Sequence, residues 1–337
     1  MWAIAKLVRF FLVFEARDLI RFCRKKLGVE MSNLGLFIRG FAMGVSDSVP
    51  GVSGGTIALM TGVYEKLILS LQAFDLAFFL LMLRGEFKTA WVKIDGGFLS
   101  MLGVGIIVGV ISSANSILFI LSNFSEPLMG FFIGLILYSA WFLLLTLLFR
   151  NKSVLERFDS WAAFSCGVGI IFLTRIGSSL SIEFGMINIF IGGFFAIGAM
   201  LLPGISGALV LLIFGIYEAV LSAVVEGDFS ILFVFGLGCF LGLIVFARGI
   251  GLLLTFFLAQ SYFAIIGMLV ASCILLWPWQ DLIIGYRGEL LTPWDYPAVT
   301  GNDPHFWLTI FAFFVGGFSG LMLQKFSVEN EQLVPQK

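Results

Sequence analysis

Apolar residues fill this chain in long blocks, and the polar positions interrupt those blocks at bilayer-sized intervals. Apolar spans at about 97–121, 127–149, 161–174, 229–258, 262–277 and 305–324 predict membrane-spanning helices, since a bilayer needs roughly 20 residues of helix. Two more apolar segments, 34–70 and 187–225, each carry a Pro-Gly-x-Ser-Gly core and predict helices broken at membrane depth. A shorter amphipathic stretch at 73–92 ends in the basic region Arg84–Lys93. In residues 1–30, Lys6, Arg9, Arg17, Arg21, Arg24, Lys25 and Lys26 interleave with Trp2, Phe10, Phe14 and Leu19. That pattern suits a basic amphipathic helix on an anionic inner leaflet. A plain positively charged flank of the first membrane segment fits the same residues.

The two broken segments are copies of one another. Residues 40–65 and 193–218 align without a gap at an offset of 153. They share Pro50/Pro203, Gly51/Gly204, Ser53/Ser206, Gly54/Gly207, Gly62/Gly215, Tyr64/Tyr217 and Glu65/Glu218. The correspondence continues beyond them, at an offset of 133, through Gly103/Gly236, Gly105/Gly238, Gly109/Gly242, Gly134/Gly267 and Ser139/Ser272. The change of offset assigns a 20-residue insertion, about 73–92, to the first half alone. The expected fold is an all-α polytopic membrane protein. It has two inverted repeats (34–174 and 187–324), each a re-entrant helical hairpin plus three spans, followed by a tail at 325–337.

Charge sets the expected orientation. Lys and Arg gather in 1–30, 84–93 and 150–157, whereas 122–126, 176–186, 226–228 and the Trp/Pro/Tyr-rich loop 278–304 hold Arg287 among eight acidic residues. The positive-inside rule places the first group, and both termini, in the cytoplasm. Re-entrant hairpins and pairs of fully crossing helices give the same loop parity, so charge leaves that choice open. Hydrophobic residues are 60% of the chain and charged ones 12%, which excludes an ordinary soluble domain. The net charge of −1 points to no nucleic-acid partner. Four dispersed cysteines and one histidine, His305, give no metal or cofactor framework. No Walker-type loop and no serine elbow with an available histidine appears, so the chain reads as a carrier and not an enzyme.

The candidate chemistry lies at the two breaks. Proline ends the incoming helix and glycine turns the chain. The next helix then begins at Ser53 or Ser206 with small residues, exposing amides and a positive dipole end that suit an anion, phosphate above all. The expected substrate-binding set is Ser46, Asp47, Pro50, Gly51, Ser53, Gly54, Gly55 and Thr56 in the first copy, with Pro203, Gly204, Ser206 and Gly207 in the second. The first copy is the more polar one: Ala199, Met200 and Leu201 stand where it has Ser46, Asp47 and Ser48. Arg248 and Arg39 are candidate phosphate partners, because an intramembrane guanidinium needs an anion. Asp47, Glu65 and Glu218 are the candidate coupling or gating carboxylates. A helix running unbroken from the tip would carry Glu65 and Glu218 about 16 Å away, towards opposite faces.

The run SDSVPGVSGGTIALMTGVYEKLI at 46–68, with PGISGALVLLIFGIYEAV at 203–220, resembles the bacterial polyprenyl-phosphate translocase family over about residues 34–325. The resemblance implies movement of undecaprenyl phosphate from the outer to the inner leaflet of the bacterial cytoplasmic membrane, where the carrier is recycled for peptidoglycan and other surface glycans. The family motif maps onto Asp47, Pro50, Gly51, Ser53, Gly54, Gly55 and Thr56, and onto Pro203, Gly204, Ser206 and Gly207; Ala208 departs from it. Inward movement of an anion opposes a negative-inside potential by about 2.3 kcal/mol per charge per 100 mV, so ion coupling is expected. The expected partners are the polyprenyl-phosphate lipid and membrane lipids, with oligomeric state undetermined. Readings as a small-anion transporter, an intramembrane lipid-phosphate enzyme or a scaffold for cell-wall enzymes stay open on the residues alone.

Overall fold

The computed structural model describes residues 32–49, 52–150, 152–177, 185–283 and 286–332. The basic segment 1–30, Pro50, Gly51 and the last five residues lie outside them. The first half contains α1 (Asn33–Asp47), α2 (Gly54–Met60), α3 (Tyr64–Gln72), α4 (Leu76–Leu83), α5 (Phe87–Lys93), α6 (Gly96–Asn123), α7 (Ser125–Arg150) and α8 (Phe158–Gly177). The second half contains α9 (Met186–Leu201), α10 (Gly207–Ile213), α11 (Tyr217–Glu226), α12 (Phe229–Phe256), α13 (Leu258–Leu275), α14 (Tyr296–Thr300) and α15 (Phe306–Gln332).

Among the described residues, five helices are long and apolar enough to cross a membrane: α6, α7, α12, α13 and α15. A sixth candidate is the pair α3 and α4, bent by 59°. The expected span at 161–174 forms as part of α8, but its apolar stretch, Phe158–Leu173, is shorter than a full crossing. The expectation of an all-helical chain needs one correction. Within 278–304 the strands β1 (Gln280–Ile283) and β2 (Tyr286–Leu290) pair antiparallel. Trp277 and Trp279 anchor this hairpin by donating to the carbonyls of Leu291 (2.9 Å) and Pro304 (2.8 Å).

Helices meet in parallel pairs through glycines that admit the neighbouring backbone. In the first half α6 lies on α1, where Gly105 meets the Phe37 carbonyl and Gly109 the Phe41 carbonyl. In the second half α12 lies on α9, where Gly238 meets Phe190 and Gly242 meets Phe194. These are the same contacts at the offsets of 153 and 133 read from the sequence. The remaining pairs cross between halves. Gly134 of α7 receives the Phe313 carbonyl of α15, and Gly267 of α13 receives the Phe164 carbonyl of α8. A β-carbon at any of these glycines would collide with a carbonyl oxygen. Small residues are what allow helices this close an approach in lipid, where apolar burial gives little net attraction. Each half thus donates its third span to the other, and α7 packs on α13 between them.

The insertion unique to the first half forms α4 and α5. Asp75 caps α4 by accepting from the Phe78 amide (2.8 Å) and pairs with Lys93 at the end of α5 (2.8 Å). Phe78, Ala73, Ala90 and Ile94 fill the space between them. Phe79 then leans on Phe240 of α12, with ring centroids 6.1 Å apart, so the insertion braces itself on the opposite half.

Candidate functional site

Both broken segments are interrupted twice. The first interruption is the expected one, between α1 and α2 and between α9 and α10. The second separates α2 from α3 and α10 from α11, at Gly62 (φ 72°) and Gly215 (φ 64°). A left-handed backbone is cheap only for glycine, and it ends each helix as a C-terminal cap. The signal was present in the Gly62/Gly215 match, but the apolar run hid it. This overturns the expectation of one unbroken helix from each tip to Glu65 or Glu218: only seven helical residues follow each tip before the chain turns.

The two tips meet. Gly55, at the start of α2, lies against the Met200 carbonyl and the Pro203 nitrogen, and a β-carbon there would stand 3.2 Å from the former. Gly204 (φ 91°) turns the second tip against the backbone of Met268 and Leu269 in α13. Ser46, Ser53, Gly54, Gly55, Thr56, Pro203, Gly204 and Gly207 are all buried, and the contact of Gly55 with Pro203 joins the two parts of the expected set. Ser206 is partly buried, and Pro50 and Gly51 lie outside the described residues.

The first tip satisfies its own amides. The Asp47 carboxylate accepts from the Gly54 amide at 2.6 Å, and Ser53 Oγ accepts from the Gly55 amide at 3.2 Å. The Thr56 amide reaches the Ser53 carbonyl at 2.9 Å. Ser46 turns back to the Met43 carbonyl (2.9 Å). The expectation of exposed amides at the start of α2 is therefore corrected, since an internal carboxylate already sits where an anion would dock. What remains there is the Thr56 hydroxyl, 1% exposed and without a hydrogen-bond partner among the described residues. The second tip is different. Met200 replaces the aspartate, and Ser206 makes no side-chain cap to α10.

The outlying candidates separate. Arg39 is buried on α1. Arg248 is half-buried on α12, two residues beyond Phe246, whose ring packs on Gly198 near the end of α9. Its Nη2 donates to the Phe74 carbonyl at 3.4 Å, and no carboxylate pairs with it among the described residues. Glu65 accepts from the Tyr262 hydroxyl of α13, whereas Glu218 is exposed and has no such partner among the described residues. A contact that the sequence reading missed joins the halves: the buried Tyr64 hydroxyl donates to the Leu201 carbonyl at 3.0 Å. Leu201 is the last residue of α9, where a helix runs out of amide donors, so the tyrosine supplies the missing one.

Paired helix breaks buried among apolar spans define a polytopic helical membrane protein organised around an interior polar region. Residues 43–289 match the undecaprenyl phosphate translocase-like family, and the chain belongs to it. It is 32% identical over 291 residues to a protein of Vibrio cholerae serotype O1 named polyprenyl-phosphate transporter, covering 83% of this chain and 92% of that one. It is 29% identical over 310 residues to a Staphylococcus aureus protein of the same name, covering 87% and 97%. No solved structure matches the chain.

Proposed function

We propose that this protein moves polyprenyl phosphate, undecaprenyl phosphate in particular, across the bacterial cytoplasmic membrane from the outer to the inner leaflet, returning the lipid for further rounds of glycan synthesis. The observation that carries the reading is the contact of Gly55, at the start of α2, with Met200 and Pro203 of the second break, the first break having a carboxylate in its cap and the second none among the described residues. In this reading the two halves are inverted repeats, the broken segments are re-entrant hairpins, and both termini are cytoplasmic. The uncapped start of α10 together with the Thr56 hydroxyl receives the phosphate. Arg248, a guanidinium with no carboxylate partner among the described residues, attracts the headgroup towards the interior. The prenyl tail stays in lipid, as its apolar length requires. Asp47 competes with the phosphate for positive dipole ends, so its protonation state couples lipid movement to an ion gradient. Family membership and the two transporters of similar sequence support the substrate class.

The test is uptake of labelled undecaprenyl phosphate into the inner leaflet of proteoliposomes holding the purified protein. Protein-dependent movement that slows when proton and sodium gradients are collapsed is the expected result. Movement of inorganic phosphate with no movement of the lipid would favour a small-anion carrier, and release of phosphate from the lipid would make the protein an enzyme.

A further inference from the structure

The two halves use the same residues differently. Tyr64 and Tyr217 follow identical second breaks, and Glu65 and Glu218 follow them in turn. Yet Tyr64 is 2% exposed and bonded across the molecule to the last carbonyl of α9, while Tyr217 is 37% exposed and makes no hydrogen bond among the described residues. The difference extends along the whole segment. Helix α3 lies on α12 of the opposite half, where Gln72 Nε2 donates to the Arg248 carbonyl at 3.3 Å. Helix α11 packs on α12 of its own half. Equal sequence in equal local backbone with unequal docking is what one of two conformations of an internally duplicated carrier would display.

We infer that Tyr64 and Tyr217 are exchanging clasps, positioning residues that hold the two tips in turn. In this conformation Tyr64 holds the second tip through Leu201. In the opposite one α3 swings off α12 and α11 crosses over, so that the Tyr217 hydroxyl donates to the Ser48 carbonyl. Ser48 occupies the place of Leu201 at the offset of 153, at the end of α1. Exchange replaces one tyrosine clasp by another, so the clasps themselves favour neither state and leave the equilibrium to be biased by substrate binding energy. The inference rests on the transport reading of the tips and adds the means by which they alternate. Its rival is a permanent asymmetry in which the insertion, through Phe79 on Phe240, fixes α3 to α12 for good.

The decisive variant is Tyr217→Phe, because it deletes a hydroxyl that this conformation leaves unbonded. Lipid uptake into proteoliposomes should slow about three- to tenfold in both Tyr64→Phe and Tyr217→Phe, the effect of one net hydrogen bond. Uptake unchanged in Tyr217→Phe but reduced in Tyr64→Phe would overturn the exchange. A second measurement traps each state in a background with Cys23, Cys166, Cys239 and Cys273 changed to Ser. A short cleavable thiol-to-thiol linker should join the pair Tyr64→Cys with Leu201→Cys and, separately, Tyr217→Cys with Ser48→Cys. Either bridge should stop uptake, and cleaving it should restore it. Failure of the second pair to link in a variant that still transports would refute the opposite state. Absence of uptake by the unmodified wild type would instead overturn the transport reading, while linking of both pairs would still report the exchange.

Discussion

The two tips are built from one motif and end in opposite electrostatic conditions. In the first, Asp47 and Ser53 occupy the amides of Gly54 and Gly55, and the start of α2 is neutralised from within. In the second, Met200 stands in the aspartate's place and the start of α10 has no side-chain acceptor among the described residues. A duplicated motif therefore does not imply two equal sites. Where Asp47 closes the Gly54 amide in the first copy, Met200 lays an apolar side chain against Gly207 in the second. The carboxylate that looked like a substrate contact in the sequence acts here as a helix cap on the Gly54 amide.

The comparison can be broken most forcefully by making the tips alike. Met200→Asp would give the second tip its own carboxylate, and lipid uptake should fall by about a hundredfold or more, as expected when a charge-assisted contact of up to 3 kcal/mol is removed and a like charge faces the phosphate. Uptake at the wild-type rate would mean that α10 does not meet the headgroup. The converse change, Asp47→Asn, keeps a cap on Gly54 while removing the charge. Uptake should become insensitive to the ion gradient and about tenfold slower, with the fold retained by circular dichroism. Gly204→Ala acts on the second tip alone and should cost about 1–2 kcal/mol through its left-handed backbone, read as a lower melting temperature of the detergent-solubilised protein. The smallest effect sharpens the contrast: Ser53→Ala should cost about 1 kcal/mol as a lost cap, against almost nothing for Ser206→Ala, whose side chain caps nothing.

Much of the architecture was legible because lipid imposes simple rules. The apolar blocks returned as α6, α7, α12, α13 and α15 within a few residues of the expected bounds, since a helix in a bilayer must be apolar over its full length. The shared glycines marked helix seams, and Gly134 and Gly267 each received a carbonyl, because close approach demands a missing side chain. Three things were not legible. The second break at Gly62 and Gly215 lay inside apolar sequence with no proline to announce it. The strands in 278–304 were obscured by turn-forming and aromatic residues. The fate of the α2 amides depended on Asp47 folding back across seven residues.

The amino-acid order alone thus determined an internally duplicated membrane protein with two proline-tipped breaks and an insertion in one half, because these follow from hydropathy, backbone restriction and repetition along the chain. Only the tertiary structure decided that each half lends its third span to the other, that Asp47 caps its own tip, and that Tyr64 bonds across to Leu201 while Tyr217 stays exposed. Those outcomes depend on which partner comes within hydrogen-bonding distance, and the shared Gly-x-Tyr-Glu stretches at 62–65 and 215–218 cannot encode by themselves why one tyrosine is bonded and the other is not.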